Sequence, residues 1–599
     1  MAFHRTGRAH ARARRLASCT ALALASGLLL TGTAGTATAA DTPAPTPDRS
    51  LTERVAPAEE RPQGQLPRKR NRLSTDTTQN TTAGVPSRHD FTGDGTSDLL
   101  YRTLGGTYYL KRYEDPSNDT EFGLYGDTEE KFKDVIPVGD LTANGTADVL
   151  TLSQYGTLSF RETYAGATGT SSPYWSGTGW HIYNKVLSIG DVTGDGKVDV
   201  LARTHSGDLY LYRGTGVPSA PLQARTKVGT GWHIYDQLVG ANDANGDGKG
   251  DLYARTPNGD LFFYAGSGNA AAPLKARVKV GTGWHIYNQL SISDDSSTNP
   301  ADDGRPELLA RTTGGAMYYY ETDAATGRPT TRVLWSDGSW NTADHLINFG
   351  GNPQTGKSEI LGLDRNGTLW AYYSRNNGTL TARDQWSDVG GWAGARVHFP
   401  SSLDNDGHAD LLEVYEGYLY NYDRFSDGPY PLGRGWGAFN VLTGAGDLTG
   451  DGKGDLLART SGGTLYLYRG NGQGTGFDGR TAVGSGWGVY NSLVGAGDIT
   501  GDGRADLLAR TSGGTLYLYA GTGNAGAPFK ARVKVGTGWQ TYSRLVAPGD
   551  ITGDGRADLL AVTSGGTLYR YITTHTGTAN PFTTRTNMGT GWNTYTQLH

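Results

Sequence analysis

The sequence predicts an all-β fold, a β-propeller, on three observations. An acidic, glycine-rich turn that leads straight into an apolar strand recurs along the chain, as at 497–510 (GDITGDGRADLLAR). Glycine (90 of 599 residues) and tyrosine (34) are common, whereas hydrophobic residues make up only 36%, a profile typical of short strands joined by tight turns. No long stretch after residue 40 has helical periodicity.

The acidic turn recurs ten times with a period of about 51 residues, which indicates a repeat architecture. Each copy can be indexed by the last acidic residue of its turn. These residues are Asp98, Asp148, Asp199, Asp251, Glu307, Glu359, Asp410, Asp455, Asp506 and Asp558.

Each copy has the pattern of four short antiparallel strands. In the copy around Asp506, strands are predicted at 490–494, 506–511, 515–519 and 530–535, with a glycine hairpin at 512–514. Leucine and tyrosine alternate in the third strand, so both of its faces are apolar or aromatic and both need a packing partner. Four strands in about 50 residues is the size of one propeller blade.

The number of rings follows from the number of blades. One ring of ten exceeds the usual four to eight blades, so we favour two five-bladed propellers, 89–350 and 351–599, over one ten-bladed ring. The turns at 294–307 and 351–359 are degenerate, which places the junction near Gly350. The first copy lacks a preceding tryptophan strand, and we expect the strand after Trp592 to complete it.

The N-terminal region is predicted to be a secretory signal followed by a spacer. Residues 1–40 combine a basic start, an apolar run at 16–30 and small residues at 37–39, and no membrane span is expected after its removal. Residues 41–88 are rich in proline and threonine and are predicted to be disordered. We therefore expect a secreted, extracellular protein, with the spacer able to cross a cell wall. The only cysteine, Cys19, lies in the signal, so no disulfide is available.

Charge and motifs exclude several function classes. Without the five arginines before residue 16, the formal charge falls from −5 to −10, a poor basis for nucleic-acid binding. The sequence has no G-x-S-x-G or H-E-x-x-H motif and no phosphate-binding loop, so we expect no enzyme.

The acidic turns carry the clearest chemistry. Carboxylates stand at positions 1, 5 and 9, and the glycines at 4 and 6 let the chain turn so that oxygen atoms converge, as Ca²⁺ requires. One Asp-Gly turn alone could be a simple turn, because Asp also hydrogen-bonds its own backbone. Six copies in register make calcium, in a structural role, the better interpretation.

The pattern D-x-T-G-D-G-x-x-D followed by L-L-A-R resembles the FG-GAP, or VCBS, repeats of secreted bacterial proteins and integrin α-subunit propellers. The G-T-G-W and G-x-L-Y elements resemble, more loosely, small lectin propellers. The first resemblance implies calcium ligands at positions 1, 3, 5 and 9 and a backbone carbonyl at position 7. The implied ligands are Asp90, Thr92, Asp94 and Asp98; Asp191, Thr193, Asp195, Lys197 through its carbonyl, and Asp199; Asp243, Asn245, Asp247 and Asp251; Asp447, Thr449, Asp451 and Asp455; Asp498, Thr500, Asp502 and Asp506; and Asp550, Thr552, Asp554 and Asp558.

Four copies depart from this pattern. The second has Asp140, Thr142, Asn144 and Asp148, with an amide at the centre, and should bind calcium more weakly. The seventh has Asp404, Asp406 and Asp410 but Ser402 at position 1. The Glu307 copy carries an insertion, and we expect no calcium at the Glu359 copy.

Three functions remain open. We favour a non-enzymatic, calcium-binding propeller that recognises a glycan or a cell-surface protein. The alternatives are a secreted hydrolase with its site in the propeller channel and a structural module of the envelope. The tryptophans of the G-T-G-W elements are expected in the core between blades, with sugar stacking as the alternative, and the histidines that follow three of them are interpreted as packing residues.

Overall fold

The computed structural model describes part of the spacer and most of the repeat region. The predicted signal peptide, 1–40, lies outside the described residues, as does most of the spacer. Described are residues 44–51, 61–62, 88–94, 97–112, 119–124, 132–153, 156–164, 166, 168–293, 305–336, 338–351, 359–422, 428–574 and 581–599.

The described residues form ten four-stranded antiparallel sheets with a propeller-like arrangement, which confirms the predicted fold class. We number the sheets 1–10 and give each from its inner to its outer strand. Sheets 1–5 are Ala343–Leu346, Leu99–Thr103, Tyr108–Lys111, Asp119–Glu121; Phe132–Gly139, Asp148–Ser153, Leu158–Arg161, Trp175–Gly177; Tyr183–Gly190, Asp199–Thr204, Leu209–Tyr212, Thr226–Gly229; Gln237–Asn242, Asp251–Arg255, Leu261–Tyr264, Val278–Gly281; and Tyr287–Ser293, Glu307–Thr312, Met317–Thr322, Pro329–Ser336.

Sheets 6–10 repeat this order of strands. They are Tyr595–Leu598, Glu359–Asp364, Leu369–Tyr373, Asp384–Gln385; Val397–His398, Leu411–Tyr415, Tyr418–Tyr422, Tyr430–Arg434; Phe439–Gly446, Asp455–Thr460, Leu465–Gly470, Phe477–Gly484; Tyr490–Gly497, Asp506–Thr511, Leu516–Tyr519, Val533–Gly536; and Tyr542–Gly549, Asp558–Thr563, Leu568–Tyr571, Thr586–Asn587.

Helical structure within the described residues is limited to short 3₁₀ turns, and no helix there is long and apolar enough to cross a membrane. The 3₁₀ turns are Trp180–Ile182, Trp232–Ile234, Trp284–Ile286, Trp340–Thr342, Trp436–Ala438, Trp487–Val489, Trp539–Thr541 and Trp592–Thr594.

Two pairings between distant strands divide the ten sheets into two runs of five. Ala343–Leu346 pairs with Leu99–Thr103, and Tyr595–Leu598 pairs with Glu359–Asp364. The expectation that the C-terminal strand completes the first copy is therefore wrong, because the strand at 343–346 already fills that place. We call sheets 1–5 the first half and sheets 6–10 the second half. This pairing supports two five-bladed rings, which stay our prediction.

The core lies between neighbouring sheets. Between sheets 9 and 10, Leu516 and Leu518 pack in one cluster with Trp539 and Tyr542. The two leucines are fully buried, whereas the alternating tyrosines of that strand are half-buried. Apolar surface on both faces of a strand is thus covered by two neighbours, as the alternating pattern predicts.

The tryptophan of each G-T-G-W element is placed by a glycine in the left-handed conformation. Gly538 has φ = +88° and precedes the 3₁₀ turn of Trp539. The Trp539 amide donates to the Gly514 carbonyl of the previous sheet at 3.0 Å, and its ring lies 4.8 Å from that of Tyr571. Because Trp539 is only 8% exposed, the predicted core role is confirmed, and its ring face is not open for stacking on a sugar.

Residues 45–51 of the predicted spacer lie against sheet 7. Arg49 forms an ion pair of 2.6 Å with buried Glu413, and Trp392 donates from Nε1 to the Ser50 carbonyl at 3.1 Å. Leu51 packs on the cluster beneath. The segment has no secondary structure, as its prolines predict.

Candidate functional site

The acidic turn of the ninth copy is held together by its own carboxylates. Asp498 accepts from the amides of Gly501 at 2.6 Å and Gly503 at 2.7 Å. Asp506 accepts from Thr500 at 2.8 Å with one oxygen and from Gly521, beyond the third strand, at 2.8 Å with the other. The first and last acids therefore order the turn and fix it to its sheet.

The same bonds recur in the other full copies. The carboxylate at position 1 accepts two or more turn amides in each, and the carboxylate at position 9 accepts the amide at position 2. The position-1 residues are Asp90, Asp191, Asp243, Asp447 and Asp550, and the position-9 residues are Asp98, Asp199, Asp251, Asp455 and Asp558.

Burial and the neighbouring acids of the turn disfavour ionisation of the carboxyl at position 9. Burial, followed by repulsion from Asp94 and Asp90, raises the pKa of Asp98 to about 8. Burial and the acids of its own turn likewise raise the pKa of Asp251 to about 8 and hold the pKa of Asp506 well above its usual range. Such buried, mutually repelling carboxylates favour a bound cation.

The donor set fits a hard divalent cation. Each full turn supplies three carboxylates and a hydroxyl or amide oxygen at position 3, and Thr500 Oγ1 lies 3.4 Å from Asp498 Oδ1. In the described part of the chain, no group of three or more His, Cys, Asp and Glu side chains forms a ready metal cluster. Calcium at these turns therefore stays a prediction.

The divergent copies replace charge with hydrogen bonds. Asn144 donates from Nδ2 to Glu162 at 3.0 Å and to the Thr163 carbonyl at 2.7 Å, so its amide ties the turn to the third strand. Ser402 donates to Asp404 at 3.0 Å and accepts from the Gly407 amide, in the place of a position-1 carboxylate. Most of the turn before Glu359 lies outside the described residues.

The turns differ in their surroundings. Asp195 and Asp247, in the first half, are exposed. The turns of sheets 8–10 instead lie against the first half: Asn288 donates to the Thr552 carbonyl at 2.9 Å, and His205 Nδ1 lies 3.4 Å from Asp447 Oδ2. Three of the predicted metal turns therefore form part of the contact between the halves.

The arginine of L-L-A-R has a role that the sequence argument did not assign. Arg510 donates from Nη1 to the carbonyls of Trp539 at 3.1 Å and Tyr542 at 2.6 Å, and from Nε to Asn491 at 3.1 Å. The recurrence of this arginine at the end of the second strand is the feature of the sequence that could have indicated the role. Arg203, Arg255, Arg311 and Arg459 make the same carbonyl contacts with the next sheet.

The centres of the two halves differ. In the first half, Arg88 donates to the carbonyls of Ser188 at 2.7 Å and Gly240 at 2.9 Å, and Gly350 bonds the inner strands of sheets 4 and 5. In the second half, the inner strands surround a cavity of about 260 Å³. Its lining includes Asn440, Thr443, Asn491, Ser492 and His398.

This architecture defines a propeller-like repeat protein with acidic turns. The FG-GAP-like repeat family model matches residues 191–254, 447–509 and 498–561, all of which contain the turns described above. These three segments therefore carry FG-GAP-like repeats, as the sequence resemblance predicts.

Similar solved structures include the BP39L lectin from Burkholderia pseudomallei, with 14% identity, a TM-score of 0.22, and coverage of 68% of this chain and 100% of the lectin. Another is BBS1N in complex with ARL6DN, with 10% identity, a TM-score of 0.18, and coverage of 55% of this chain and 89% of that chain. Curated protein sequences give no match.

Proposed function

We propose that this protein is a secreted, calcium-binding β-propeller that recognises a glycan or a cell-surface protein and has no catalytic activity. The observation that carries the calcium assignment is the recurrence of one turn geometry in six copies, each with three carboxylates. The family match to three segments that contain these turns supports the same assignment.

Calcium would be held by the side chains at positions 1, 3, 5 and 9 of each full turn, for example Asp498, Thr500, Asp502 and Asp506. It would supply the positive charge that the buried position-9 carboxylate lacks. Because the chain has no cysteine outside the first 40 residues, metal binding is a means of strengthening a small sheet, and its binding energy becomes folding energy.

Recognition is assigned to the outer end of the second half. The channel there has amide and hydroxyl side chains among a mostly apolar lining, whereas the corresponding end of the first half is covered by the turns of sheets 8–10. Hydrogen-bonding groups around a concave opening suit a hydroxyl-rich or peptide partner.

Two measurements test the proposal. Bound calcium is counted by elemental mass spectrometry, and the thermal midpoint is recorded with calcium, with magnesium and after chelation. We expect several calcium ions per chain and a lower midpoint on chelation, restored by calcium. An unchanged midpoint would remove the structural-calcium assignment. A glycan array, probed with the calcium-loaded chain, tests recognition separately, and activity on polysaccharide or ester substrates would contradict the non-enzymatic assignment.

A further inference from the structure

We infer that the face of sheets 6 and 7 around Glu413 is a binding site for an extended peptide that carries proline and arginine. The chain's own residues 45–51 occupy the site as an intramolecular ligand. The inference goes beyond the proposed function and does not depend on calcium or glycan binding. We call residues 45–51 the N-terminal segment and the surface that holds them the segment site.

Four sheets hold an arginine of their own against two tyrosines. In sheet 10, Arg585 donates to the Tyr542 hydroxyl at 2.6 Å, and that hydroxyl lies 2.5 Å from the hydroxyl of Tyr571. Each of these arginines stands seven residues before the tryptophan that follows it in the chain. The arginines of the other three sheets are Arg225, Arg277 and Arg532.

Sheet 7 lacks two members of this group. Pro429 stands seven residues before Trp436, where the arginine would be, and residues 393–396, before the inner strand, include no tyrosine. The remaining tyrosine, Tyr422, donates instead to a buried acid, Glu413, at 2.6 Å. Sheet 7 therefore offers a buried carboxylate to an arginine that none of its described strands supplies.

The N-terminal segment supplies that arginine. Arg49 pairs through Nε with Glu413 at 2.6 Å and donates from Nη1 to the Gly391 carbonyl at 3.0 Å. Its guanidinium lies 5.5 Å from the centre of the Trp392 ring, and the same ring donates from Nε1 to the Ser50 carbonyl at 3.1 Å. One arginine thus meets an acid, a carbonyl and an aromatic face in the segment site.

The acid of the segment site is specific to sheet 7. In six sheets, the residue three places after the last acid of the turn is alanine: Ala202, Ala254, Ala310, Ala458, Ala509 and Ala561. In sheet 7 this residue is Glu413. Burial raises the pKa of Glu413, whereas the hydrogen bond from Tyr422 and the charge of Arg49 oppose the rise. A buried carboxylate is costly without a cation beside it, so the site favours a peptide with an arginine at this place.

The exposure of the N-terminal segment alternates along its length. Residues 45, 47, 49 and 51 are buried or half-buried, whereas 46, 48 and 50 are exposed, so the segment is extended and faces the sheets with every second side chain. Tyr420 donates from its hydroxyl to the Pro45 carbonyl, and Leu51 packs on the cluster between sheets 6 and 7. Aromatic donors that meet the carbonyls of an extended, proline-containing chain are a recurring mode of peptide recognition.

Side chains and carbonyls, not strand pairing, hold the N-terminal segment. Among the described residues, it pairs with none of the strands of sheet 7. Its departure would leave the four strands of the sheet in place. The contacts of the segment site can therefore be made by a separate peptide of the same chemistry.

The test measures peptide binding to the calcium-loaded full chain by fluorescence polarisation. The probe is a fluorescein-labelled peptide with the sequence of the N-terminal segment, PTPDRSL. Arg49→Glu places a second acid beside Glu413 and should release the resident segment. We expect the peptide to bind the Arg49→Glu chain at least ~10-fold more tightly than the native chain, whose own segment competes while covalently tethered.

Further variants assign the binding to the pair of Arg49 and Glu413. The same peptide with glutamate in place of arginine should bind neither chain. Glu413→Gln, added to Arg49→Glu, should weaken peptide binding ~10-fold or more, because an amide cannot accept the charge-assisted bonds of a carboxylate. Arg49→Gln repeats the comparison without an added charge. The control is Asp48→Asn on the exposed side of the segment, which should exclude the peptide as the native chain does.

Equal affinity of the peptide for the native and Arg49→Glu chains, or binding to neither, would overturn the inference and leave the segment as a fixed part of sheet 7. Light scattering tests a second occupant. A native dimer that Arg49→Glu dissociates would place the segment on a second copy and overturn the intramolecular assignment. Calcium and glycan binding should be unchanged in these variants, so failure of the inference is distinguishable from failure of the proposed function.

Discussion

Arg510 Nη1 lies 2.6 Å from the carbonyl oxygen of Tyr542, and this bond joins sheet 9 to sheet 10. The same nitrogen reaches the Trp539 carbonyl at 3.1 Å, so one charged group satisfies two buried acceptors at the 3₁₀ turn. The arginine of one copy therefore fixes the tryptophan turn of the next copy, which is how a local motif orders a repeat array.

Arg510→Val is expected to lower the free energy of unfolding by about 2–4 kcal/mol, because it leaves buried carbonyls without a donor. Valine is the residue that the tenth copy has at this position, Val562, so its size is compatible with the strand. Arg510→Lys should recover only part of the loss, since an ammonium does not reproduce the fork of donors. Denaturant unfolding measures the effect, and exposed Lys534→Gln is the control. If Arg510→Val were as stable as the Lys534→Gln control, the bonds from Arg510 to the two carbonyls would not contribute to stability.

Closure of each half by its last strand predicts separate unfolding. Leu598→Asp places a charge at the buried pairing of Tyr595–Leu598 with Glu359–Asp364, and Leu346→Asp does the same at the first closure. We expect each to raise amide hydrogen exchange across its own half much more than across the other. One ten-bladed ring would instead lose protection throughout, so equal deprotection of both halves by Leu598→Asp would argue against two rings.

The repeat pattern predicted much of this fold because each copy carries all its local signals. The strands of the ninth copy are found at 490–497, 506–511, 516–519 and 533–536, within a few residues of expectation. The closing strand was assigned to the wrong sheet because the G-T-G-W pattern weakens before Trp340, where Ser339 takes the left-handed place of glycine at φ = +68°. The spacing of the repeats along the chain does not show which distant strands pair.

The acidic turns could be predicted from the sequence, whereas the residues that line the channel of the second half could not. Each acidic turn is local, so its residues and their convergence follow from nine consecutive positions. The channel of the second half brings together residues from 398 to 599, and only the packing of distant inner strands makes them neighbours.

Asp502→Asn is expected to change stability in opposite directions with and without calcium. Burial, followed by repulsion from Asp502, raises the pKa of Asp498 to about 7, and burial followed by repulsion from Asp498 and Asp502 holds the pKa of Asp506 well above its usual range. Neutralising Asp502 therefore relieves repulsion in the metal-free turn. The same change removes a predicted calcium ligand. The second copy, with Asn144 at this position, already lacks that carboxylate. Relative to the native chain, we expect the free energy of unfolding of the variant to be about 1 kcal/mol higher without calcium and about 1 kcal/mol lower with calcium. Thermal midpoints in calcium and in chelator provide the test, and a shift of the same sign in both would contradict a metal role for the turn.

The buried side chain of His398 is expected to make the stability of the second half depend on pH. It is 8% exposed in the channel wall, and by strand register its equivalents in the other sheets are Thr443, Val494, Val546 and His599. Burial, followed by repulsion from His599 and Arg396, holds the pKa of His398 well below its usual value of 6.5. The unfolded chain takes up a proton near pH 6.5 and the folded chain does not.

The stability linked to His398 is therefore fully present above pH 6.5 and decreases as the pH falls below it, by up to about 1.4 kcal/mol per pH unit. His398→Leu should remove this part of the acid dependence, because leucine is an apolar side chain of similar size that binds no proton. Exposed His285→Gln should leave the dependence as it is. The thermal midpoint is measured between pH 5 and 8 at saturating calcium. If the midpoints of the native chain and of His398→Leu fall in parallel as the pH decreases, this histidine is not the group that titrates.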